Sequence, residues 1–273
     1  MRIAIVVVVS TAAIAAGLLG QKFSSVPGQG RSMVVTEYGI VAAPQFLASQ
    51  AGAHILEEGG NAVDAAIAAN AVMGVVQPYV NGMGGDLFAL YYEAKTGKLY
   101  GLNSSGWTPK ALTIEYLKAR NIDHLDPIGV HTIDVPGCVA GWDALRRRFG
   151  TLPFDKLLAP AVSYAETGFP LAERNARYWV SKKLLQQPGY QQTYFPGGVT
   201  LGVGDVFKNP ALGESLRQVA AHGRNAFYNG AMTTDMVKFL RGTGRNAYSG
   251  RLCRFSAGMG RTHLHQLPRV DGL

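Results

Sequence analysis

The first folded segment of the chain carries apolar residues at helical spacing. Between Pro44 and Glu58, the residues predicted to face a core recur every three or four positions: Leu47, Ala48, Ala51, Ile55 and Leu56. The pair Gly59-Gly60 follows directly and is typical of a helix C-terminus. The pattern therefore predicts an amphipathic helix that stops at this glycine pair.

The next segment, Ala62 to Val76, is apolar on all sides. It consists almost wholly of Ala, Val, Ile and Met, and a helix without a polar face has to be buried. Asn61 is predicted to cap its N-terminus, and Asp64 would take the third helical position, where an acidic side chain is favourable. Because its alanines are small, we expect this helix to lie close against a sheet.

A hairpin and further helices follow. Leu87–Glu93 and Lys98–Asn103 are predicted strands, joined by the turn Ala94-Lys95-Thr96-Gly97. Helical spacing recurs over five later segments: Cys138–Phe149, Pro153–Glu166, Glu173–Leu185, Ala211–His222 and Gly230–Leu240. Helices mixed with an antiparallel hairpin predict a layered α+β domain in which helices pack on an antiparallel sheet.

The N-terminal 32 residues have a different pattern. After Arg2, residues 3–20 carry no charge and include many small side chains, which fits a secretory signal or an uncleaved membrane anchor. We therefore expect a periplasmic or secreted protein, or one anchored in a membrane. The alternative is a buried N-terminal helix or strand, since Val6–Val9 is β-branched. Residues 21–32 are rich in Gly, Ser and Pro and are predicted to be a linker.

The net charge of +8 is concentrated at the two ends of the chain. Residues 1–32 contribute +3 and residues 245–273 contribute +4, which leaves +1 for the middle. A nucleic-acid-binding domain carries its positive charge on the folded surface. The charge distribution therefore argues against a nucleic-acid partner.

Metal and cofactor chemistry has little support in the sequence. Cys138 and Cys253 are too few for a disulfide framework, and no Cys/His cluster has the spacing of a zinc site. His263 and His265 lie two residues apart and could form a metal pair, but the tail that contains them has another explanation, given below. We expect no metal and no cofactor.

Two motifs each allow a structural and a functional interpretation. Gly82-Met83-Gly84-Gly85-Asp86 is glycine-rich, but it lacks the spacing of a phosphate-binding loop and precedes a strand rather than a helix. A turn with unusual backbone angles is the favoured interpretation. Arg146-Arg147-Arg148 lies on a predicted helix, where a solvated face is favoured over a ligand site.

Several motifs in order along the chain resemble the γ-glutamyltranspeptidase family. They are ASQAG, GGNAVDAAIA, the segment from Pro78 that ends in GMGGD, YGLN, VPGCVAGWDALRRRFGTLPFDKLLAPAVSYAETGFP, and GRNAFYNG at residues 223–230. The resemblance covers residues 33–244, which it identifies as a large-subunit region.

The resemblance implies a fold, a chemistry and partners. Members of this family are N-terminal-nucleophile (Ntn) hydrolases with an αββα four-layer sandwich, of which this chain would supply the N-terminal, incomplete part. A precursor cuts itself into a large and a small subunit, and the new N-terminal threonine attacks the γ-glutamyl amide of glutathione or a similar small peptide. The acyl group passes to water or an amino acid. Related members are cephalosporin acylases. The small subunit is therefore an expected partner.

The resemblance also points to two site positions. In the family, an arginine binds the donor's α-carboxylate, four residues before a loop proline in most relatives and two before it in others. Counting back from Pro109, those positions are Ser105 and Trp107, and neither can make the bidentate contact of a guanidinium. This departure puts glutathione in doubt as the donor. Trp107 would either form an apolar wall for a different acyl group or simply pack.

The family resemblance stops after Gly244. When permitted codons for the following residues are read one base out of frame, they can give GMPTAADFADFQREWVEPISTNYRGWTV, which resembles what the family carries at this point. One step is independent of codon choice. Met259 is encoded by ATG and every Gly260 codon begins with GG, so the triplet that starts one base later is TGG, which encodes Trp. We therefore expect residues 245–273 to be an out-of-frame tail whose cysteine and histidines have no selected role.

This expectation places the cleavage site, the threonine nucleophile and the family's oxyanion-hole glycines beyond the frame change. No catalytic residue is then assigned in the chain. Three alternatives to an active enzyme stay open: an inactive truncated fragment, a half-enzyme that pairs with a separately encoded C-terminal part, and a peptide-binding module that has lost its chemistry.

Overall fold

The structure, a computed structural model, describes residues 33–109, 111–187, 189–242 and 263–266. The chain divides into two units at Glu37/Tyr38, and the described part of the first, residues 33–37, contains no helix or strand. The signal or anchor and linker predicted for residues 1–32 lie outside the described residues, as does most of the tail predicted for residues 245–273. Within the described ranges, no helix has the length and apolar content needed to cross a membrane.

The second unit is mainly helical. Its helices are α1 (Phe46–Glu57), α2 (Ala62–Val76), α3 (Ile114–Lys118), α4 (Cys138–Phe149), α5 (Phe154–Thr167), α6 (Glu173–Tyr178), α7 (Tyr190–Tyr194), α8 (Pro210–His222), α9 (Arg224–Tyr228) and α10 (Ala231–Gly242). Its strands are β1 (Leu87–Glu93), β2 (Lys98–Ser104), β3 (Phe169–Pro170), β4 (Val206–Phe207) and β5 (His263–Gln266).

The two N-terminal helices form where the sequence predicts them. α1 starts two residues later than expected because Gln45 is its N-cap, and its side-chain oxygen accepts from the backbone N–H groups of Leu47 and Ala48. Gly59 adopts a φ of 90° just beyond α1, the left-handed conformation that ends many helices. At α2, Asn61 and Asp64 form the predicted cap in its reciprocal form, a capping box.

Asp64 also joins α2 to a distant loop. Besides the Asn61 N–H, its carboxylate accepts hydrogen bonds from the Thr151 N–H and hydroxyl and from the Leu152 N–H. The carboxylate is fully buried, so each of these donors supports it in place of water. The motifs GGNAVDAA and GTLP therefore meet at one buried carboxylate.

α2 is buried as predicted, but it packs mainly against other helices and not against a sheet. Eleven of its fifteen residues are buried, yet it packs mainly against α1 and α5 rather than against a sheet. The position next to the sheet belongs to α4, where a Cβ on Gly141 would come within 2.9 Å of the Leu87 side chain. The close approach expected of the α2 alanines is therefore made by a glycine of another helix.

The main sheet has three strands in the order β1-β2-β5, all antiparallel. In the β1–β2 hairpin, Leu87 pairs with Ser104 and Glu93 pairs with Lys98, which confirms the predicted strands and turn. On the inner face, Phe149 of α4 packs on the rings of Tyr91 and Tyr100, at centroid distances of 4.3 and 5.0 Å. The predicted α+β class is confirmed.

The outer face of the hairpin has no cover in the described part of the chain. We call outer face the side chains of Phe88, Leu90 and Tyr92 on β1 and of Leu99 and Asn103 on β2, together with Gly101. The three β1 side chains are 66%, 73% and 62% exposed. Strand alternation alone would place polar residues on a solvated face, so three large apolar side chains here indicate a surface that binds something.

The predicted helix over Glu173–Leu185 is wrong in its second half. α6 ends at Tyr178, because Trp179 turns into an aromatic cluster with Phe169 and Phe207, 4.5 Å from the Phe207 ring centroid. Two residues after Trp179, the Ser181 N–H donates to the Tyr190 hydroxyl rather than to a helical carbonyl. Tertiary packing of one tryptophan thus overrides the local helical pattern.

Candidate functional site

Three segments converge at one end of the β1–β2 hairpin. They are Gly85-Asp86 just before β1, Ser104–Trp107 at and beyond the end of β2, and Asp134–Cys138 leading into α4. We call these residues the loop wall. The first segment ends the motif GMGGD, the second follows the motif YGLN, and the third contains the start of the motif VPGCV. Hydrogen bonds join each segment to the other two.

Asp86 holds the second segment. Its Oδ1 accepts from the Gly106 N–H at 2.8 Å, and its Oδ2 accepts from the Ser105 hydroxyl at 3.2 Å. The Ser105 N–H donates to the Asn103 side chain at 2.9 Å. A carboxylate that accepts from a backbone N–H and a hydroxyl forms stronger bonds than a neutral acceptor, so Asp86 fixes the position of the loop.

Gly85 holds the third segment. Its carbonyl accepts from the N–H groups of Gly137 and Cys138, both at 2.9 Å. These groups are among those that a helix leaves without an intrahelical partner at its N-terminus, and the N-cap of α4, Gly137, has no side chain to satisfy them. A carbonyl from the turn before β1 therefore takes the place of a capping residue.

The second and third segments lie in direct backbone contact. The Val135 N–H donates to the Trp107 carbonyl at 3.1 Å, and the Ser104 hydroxyl donates to the Gly137 carbonyl at 2.7 Å. A Cβ on Gly106 would lie 1.9 Å from the Val135 carbonyl oxygen, and one on Gly137 would lie 1.9 Å from that of Ser104. Only glycine permits this approach at both positions.

The loop wall carries negative charge. Partial burial, and then the neighbouring carboxylate of Asp86, raise the pKa of Asp134, while a hydrogen bond from the Thr108 side chain opposes the shift. Burial, with a smaller contribution from Asp86, raises the pKa of the Cys138 thiol to about 12. This thiol is therefore protonated at neutral pH and is unsuited to act as a nucleophile.

The two predicted site residues lie on the same loop and face different surroundings. Ser105 is half-buried and its hydroxyl is bound to Asp86, whereas the Trp107 indole is 60% exposed. Among the described residues nothing covers most of the indole, and both interpretations of Trp107, an apolar wall and simple packing, stay open. Ser105 and Trp107 as substrate-binding residues stay predictions.

The glycines of the turn before β1 do not need the unusual backbone angles that we predicted. None of Gly82, Gly84 and Gly85 adopts a positive φ. The turn instead packs closely and supplies a hydrogen-bond acceptor. The Gly85 carbonyl accepts from the start of α4, and a Cβ on Gly74 of α2 would lie 3.2 Å from the Gly82 Cα.

Comparison with known proteins identifies the family. The family model for γ-glutamyltranspeptidase matches residues 48–252. This chain belongs to the γ-glutamyltranspeptidase family. It is 37% identical to the glutathione hydrolase-like YwrD proenzyme of Bacillus subtilis over 75% of its own length, and 36% identical to the oxamate amidohydrolase proenzyme of Klebsiella pneumoniae over 77%.

The solved structures agree with the sequence relatives. The cephalosporin acylase from Bacillus halodurans superimposes with a TM-score of 0.77 at 34% identity, over 90% of this chain and 46% of that chain. The predicted Ntn-hydrolase type of fold is thereby confirmed over a partial region. The chain spans 39% of the length of the Bacillus subtilis relative and 41% of the Klebsiella pneumoniae relative.

Two residues of the loop wall were missed by the sequence reasoning. Asp86 closes the GMGGD motif, which carried part of the resemblance but was assigned no chemistry. Asp134 has no local signal, because it reaches the loop wall only when two segments about 30 positions apart, such as Ser104 and Gly137, come together. Among the described residues, no group of three His, Cys, Asp or Glu side chains could hold a metal ion.

The arginine run on α4 is a packing feature with one unusual member. Arg147 and Arg148 are exposed, as predicted; Arg147 pairs with Asp143 at 3.0 Å and Arg148 lies over the Tyr100 ring. Arg146 is half-buried over the Phe154 ring, and its Nε finds no hydrogen-bond partner among the described residues.

Proposed function

We propose that the chain forms the large-subunit half of an enzyme that transfers a γ-glutamyl group from a glutathione-like donor to water or an amino acid. In this proposal the nucleophile is the threonine at the head of a small subunit, supplied by a separate C-terminal part. An N-terminal threonine suits the reaction because its own α-amine can take the proton of the hydroxyl. The chain alone would have no activity.

The observation that carries the proposal is the position of the loop wall beside the outer face. The loop wall presents polar groups and an exposed indole at the end of a hairpin whose outer face is apolar and exposed. Within the described residues, the group most inclined to nucleophilic attack, the Cys138 thiol, is buried and protonated. This combination is what one half of a two-part active site would present.

The expected partner is a second sheet. The outer face offers Phe88, Leu90 and Tyr92 for burial, and the free edge of β1 pairs with no strand in the described part of the chain. Exposed apolar faces and unpaired strand edges bind other chains unless they are covered. A small subunit that supplies strands and an apolar layer would satisfy both requirements.

A fusion protein tests this function. Residues 33–244 would be joined to the C-terminal part of the Bacillus subtilis relative, and we expect the fusion to cut itself into two fragments that stay associated. The matched control replaces the family's nucleophilic threonine in the added part by alanine, which should leave one uncut chain. A fusion that is soluble and stays uncut with the threonine present would contradict the proposal.

A second candidate function is hydrolysis of amides whose acyl group has no α-carboxylate. It is favoured by the loop wall, where Trp107 is exposed and Asp86 and Asp134 would repel a donor carboxylate. Two similar proteins are named cephalosporin acylase and oxamate amidohydrolase, and these names support a donor other than a γ-glutamyl amide. The two candidates differ in the donor, which the self-cutting fusion can compare directly.

The inactive fragment and the peptide-binding module make opposite predictions for binding. A peptide-binding module would bind glutathione or γ-glutamyl peptides without a partner, and this binding should shift the emission of the exposed Trp107. An inactive fragment would not bind them.

We also propose that residues 1–32 export the chain or anchor it in a membrane. Comparing the cell fraction that holds the chain with and without those residues tests this proposal.

A further inference from the structure

One buried hydroxyl holds the loop wall from behind. Tyr228, at the end of α9, is 4% exposed, and its hydroxyl lies against the start of α4. It donates to the Pro136 carbonyl at 2.8 Å and accepts from the Ala140 N–H at 3.1 Å. Both contacts span about 90 positions of the sequence, so they join the GRNAFYNG segment to the VPG segment.

The backbone polar groups of residues 135–140 divide between two sides. Toward the site, the Val135 N–H binds Trp107, the Gly137 carbonyl binds Ser104, and the N–H groups of Gly137 and Cys138 bind Gly85. Toward the interior, the Pro136 carbonyl and the Ala140 N–H bind Tyr228. A buried backbone group without a partner is costly, so both sets are needed to hold this segment in one position.

Tyr228 performs the task of a helix cap. The N-cap of α4 is Gly137, which has no side chain, and Ala140 stands at the third helical position. A capping side chain from the N-cap residue normally accepts from the N–H at this position. Here the acceptor is a hydroxyl from a separate helix, which leaves the VPG segment free to run in backbone contact with residues 104–107.

The end of α9 that carries this hydroxyl is buried and hydrogen-bonded. Phe227 is buried beside it, and the Thr233 hydroxyl donates to the Phe227 carbonyl at the end of α9. Burial raises the pKa of Tyr228, so the phenol keeps its proton at neutral pH and can donate to Pro136. Removal of this oxygen would leave the Pro136 carbonyl and the Ala140 N–H without their partner.

We propose that Tyr228 is a positioning residue for the loop wall, acting through residues 135–137 on the loop that carries Ser105 and Trp107. It touches neither of these side chains and no substrate. Its importance for donor binding rests on the proposed function, whereas the positioning itself does not.

Amide hydrogen exchange of the full chain tests the proposal. In Tyr228→Phe, we expect the Ala140, Val135 and Gly106 N–H groups to exchange at least about tenfold faster, relative to the core Leu158 N–H in the same sample. The matched control is Tyr190→Phe, because the Tyr190 hydroxyl also bridges two backbone groups, the Ser181 N–H and the Trp179 carbonyl. This control should leave the three amides unchanged.

The outcomes separate a positioning residue from a merely structural one. If Tyr228→Phe accelerates Ala140 alone, or accelerates all amides including Leu158 to the same extent, Tyr228 does not position the loop. If the variant does not fold, the unsubstituted chain is measured against increasing urea. If the segments are coupled, the Ala140, Val135 and Gly106 N–H groups share one opening free energy and one urea dependence. Independent openings, or no protection of these amides, would overturn the proposal. Neither readout needs enzymatic activity, so failure of the proposed function would be seen separately.

Discussion

At the scale of single residues, Trp107 stands at one of the two positions, the other being Ser105, where the family resemblance expects a carboxylate-binding arginine. In the self-cutting fusion, Trp107→Arg should raise kcat/KM for a γ-glutamyl anilide about 10- to 100-fold relative to an anilide whose acyl group lacks the α-carboxylate. The reason is that a charged hydrogen bond is worth about 1.5–3 kcal/mol. Trp107→Phe, the control, keeps an apolar ring and should not change this ratio. An unchanged ratio in Trp107→Arg would show that Trp107 does not face the donor.

A second prediction at this scale concerns the charge of the loop wall. The pKa of Asp134 is raised by burial first and by Asp86 second, so Asp86→Asn should lower it toward its ordinary value without reaching it. Because the pKa of Asp134 is higher in the folded than in the unfolded state, ionisation of Asp134 lowers the free energy of unfolding. This loss develops as the pH rises from the unfolded-state pKa to the folded-state pKa and is complete above it. NMR titration of the Asp134 carboxyl in both forms provides the measurement. A pKa of Asp134 that does not respond to Asp86→Asn would show that the two carboxylates do not interact.

At the scale of elements, the buried carboxylate of Asp64 is the main joint between α2 and the loop before α5. Asp64→Ala removes the acceptor of the Asn61, Thr151 and Leu152 N–H groups, and we expect it to lower the free energy of unfolding by about 2–4 kcal/mol. Asn209→Ala, which removes a cap with one hydrogen bond at α8, should cost about 1 kcal/mol. Urea denaturation measures both free energies of unfolding. Equal losses in the two variants would contradict the role of Asp64 in joining α2 to this loop.

The sequence predicted elements well where local chemistry decides them. The α2 cap, the β1–β2 hairpin and α4 follow from Asn61, from the turn before Lys98 and from helical spacing, all of which act over a few residues. The prediction was wrong where distant packing decides, as when Trp179 ends α6 early. The loop wall could be predicted only in part for the same reason, since Asp134 and Tyr228 reach it through contacts between remote segments.

At the scale of the whole molecule, the outer face should make the isolated chain associate or bind apolar dyes. Leu90→Lys places a charge in the centre of this face at a residue that is 73% exposed, so the fold should lose no more than about 0.5 kcal/mol. We expect dye fluorescence and self-association, measured by light scattering, to fall. Val203→Lys, at an exposed apolar residue outside the hairpin, is the control and should change neither. Equal effects of the two substitutions would show that the outer face is not a special surface.

The central claim is that this chain contributes one half of an active site and a separate part contributes the nucleophile. The most direct measurement is the release of p-nitroaniline from a γ-glutamyl anilide by the purified chain, alone and after refolding with the C-terminal part of the Bacillus subtilis relative. We predict no release above background from either part alone, and release from the combination that disappears when the family's threonine in the added part is replaced by alanine. Release by the chain alone, or release by the combination that survives this replacement, would contradict the account.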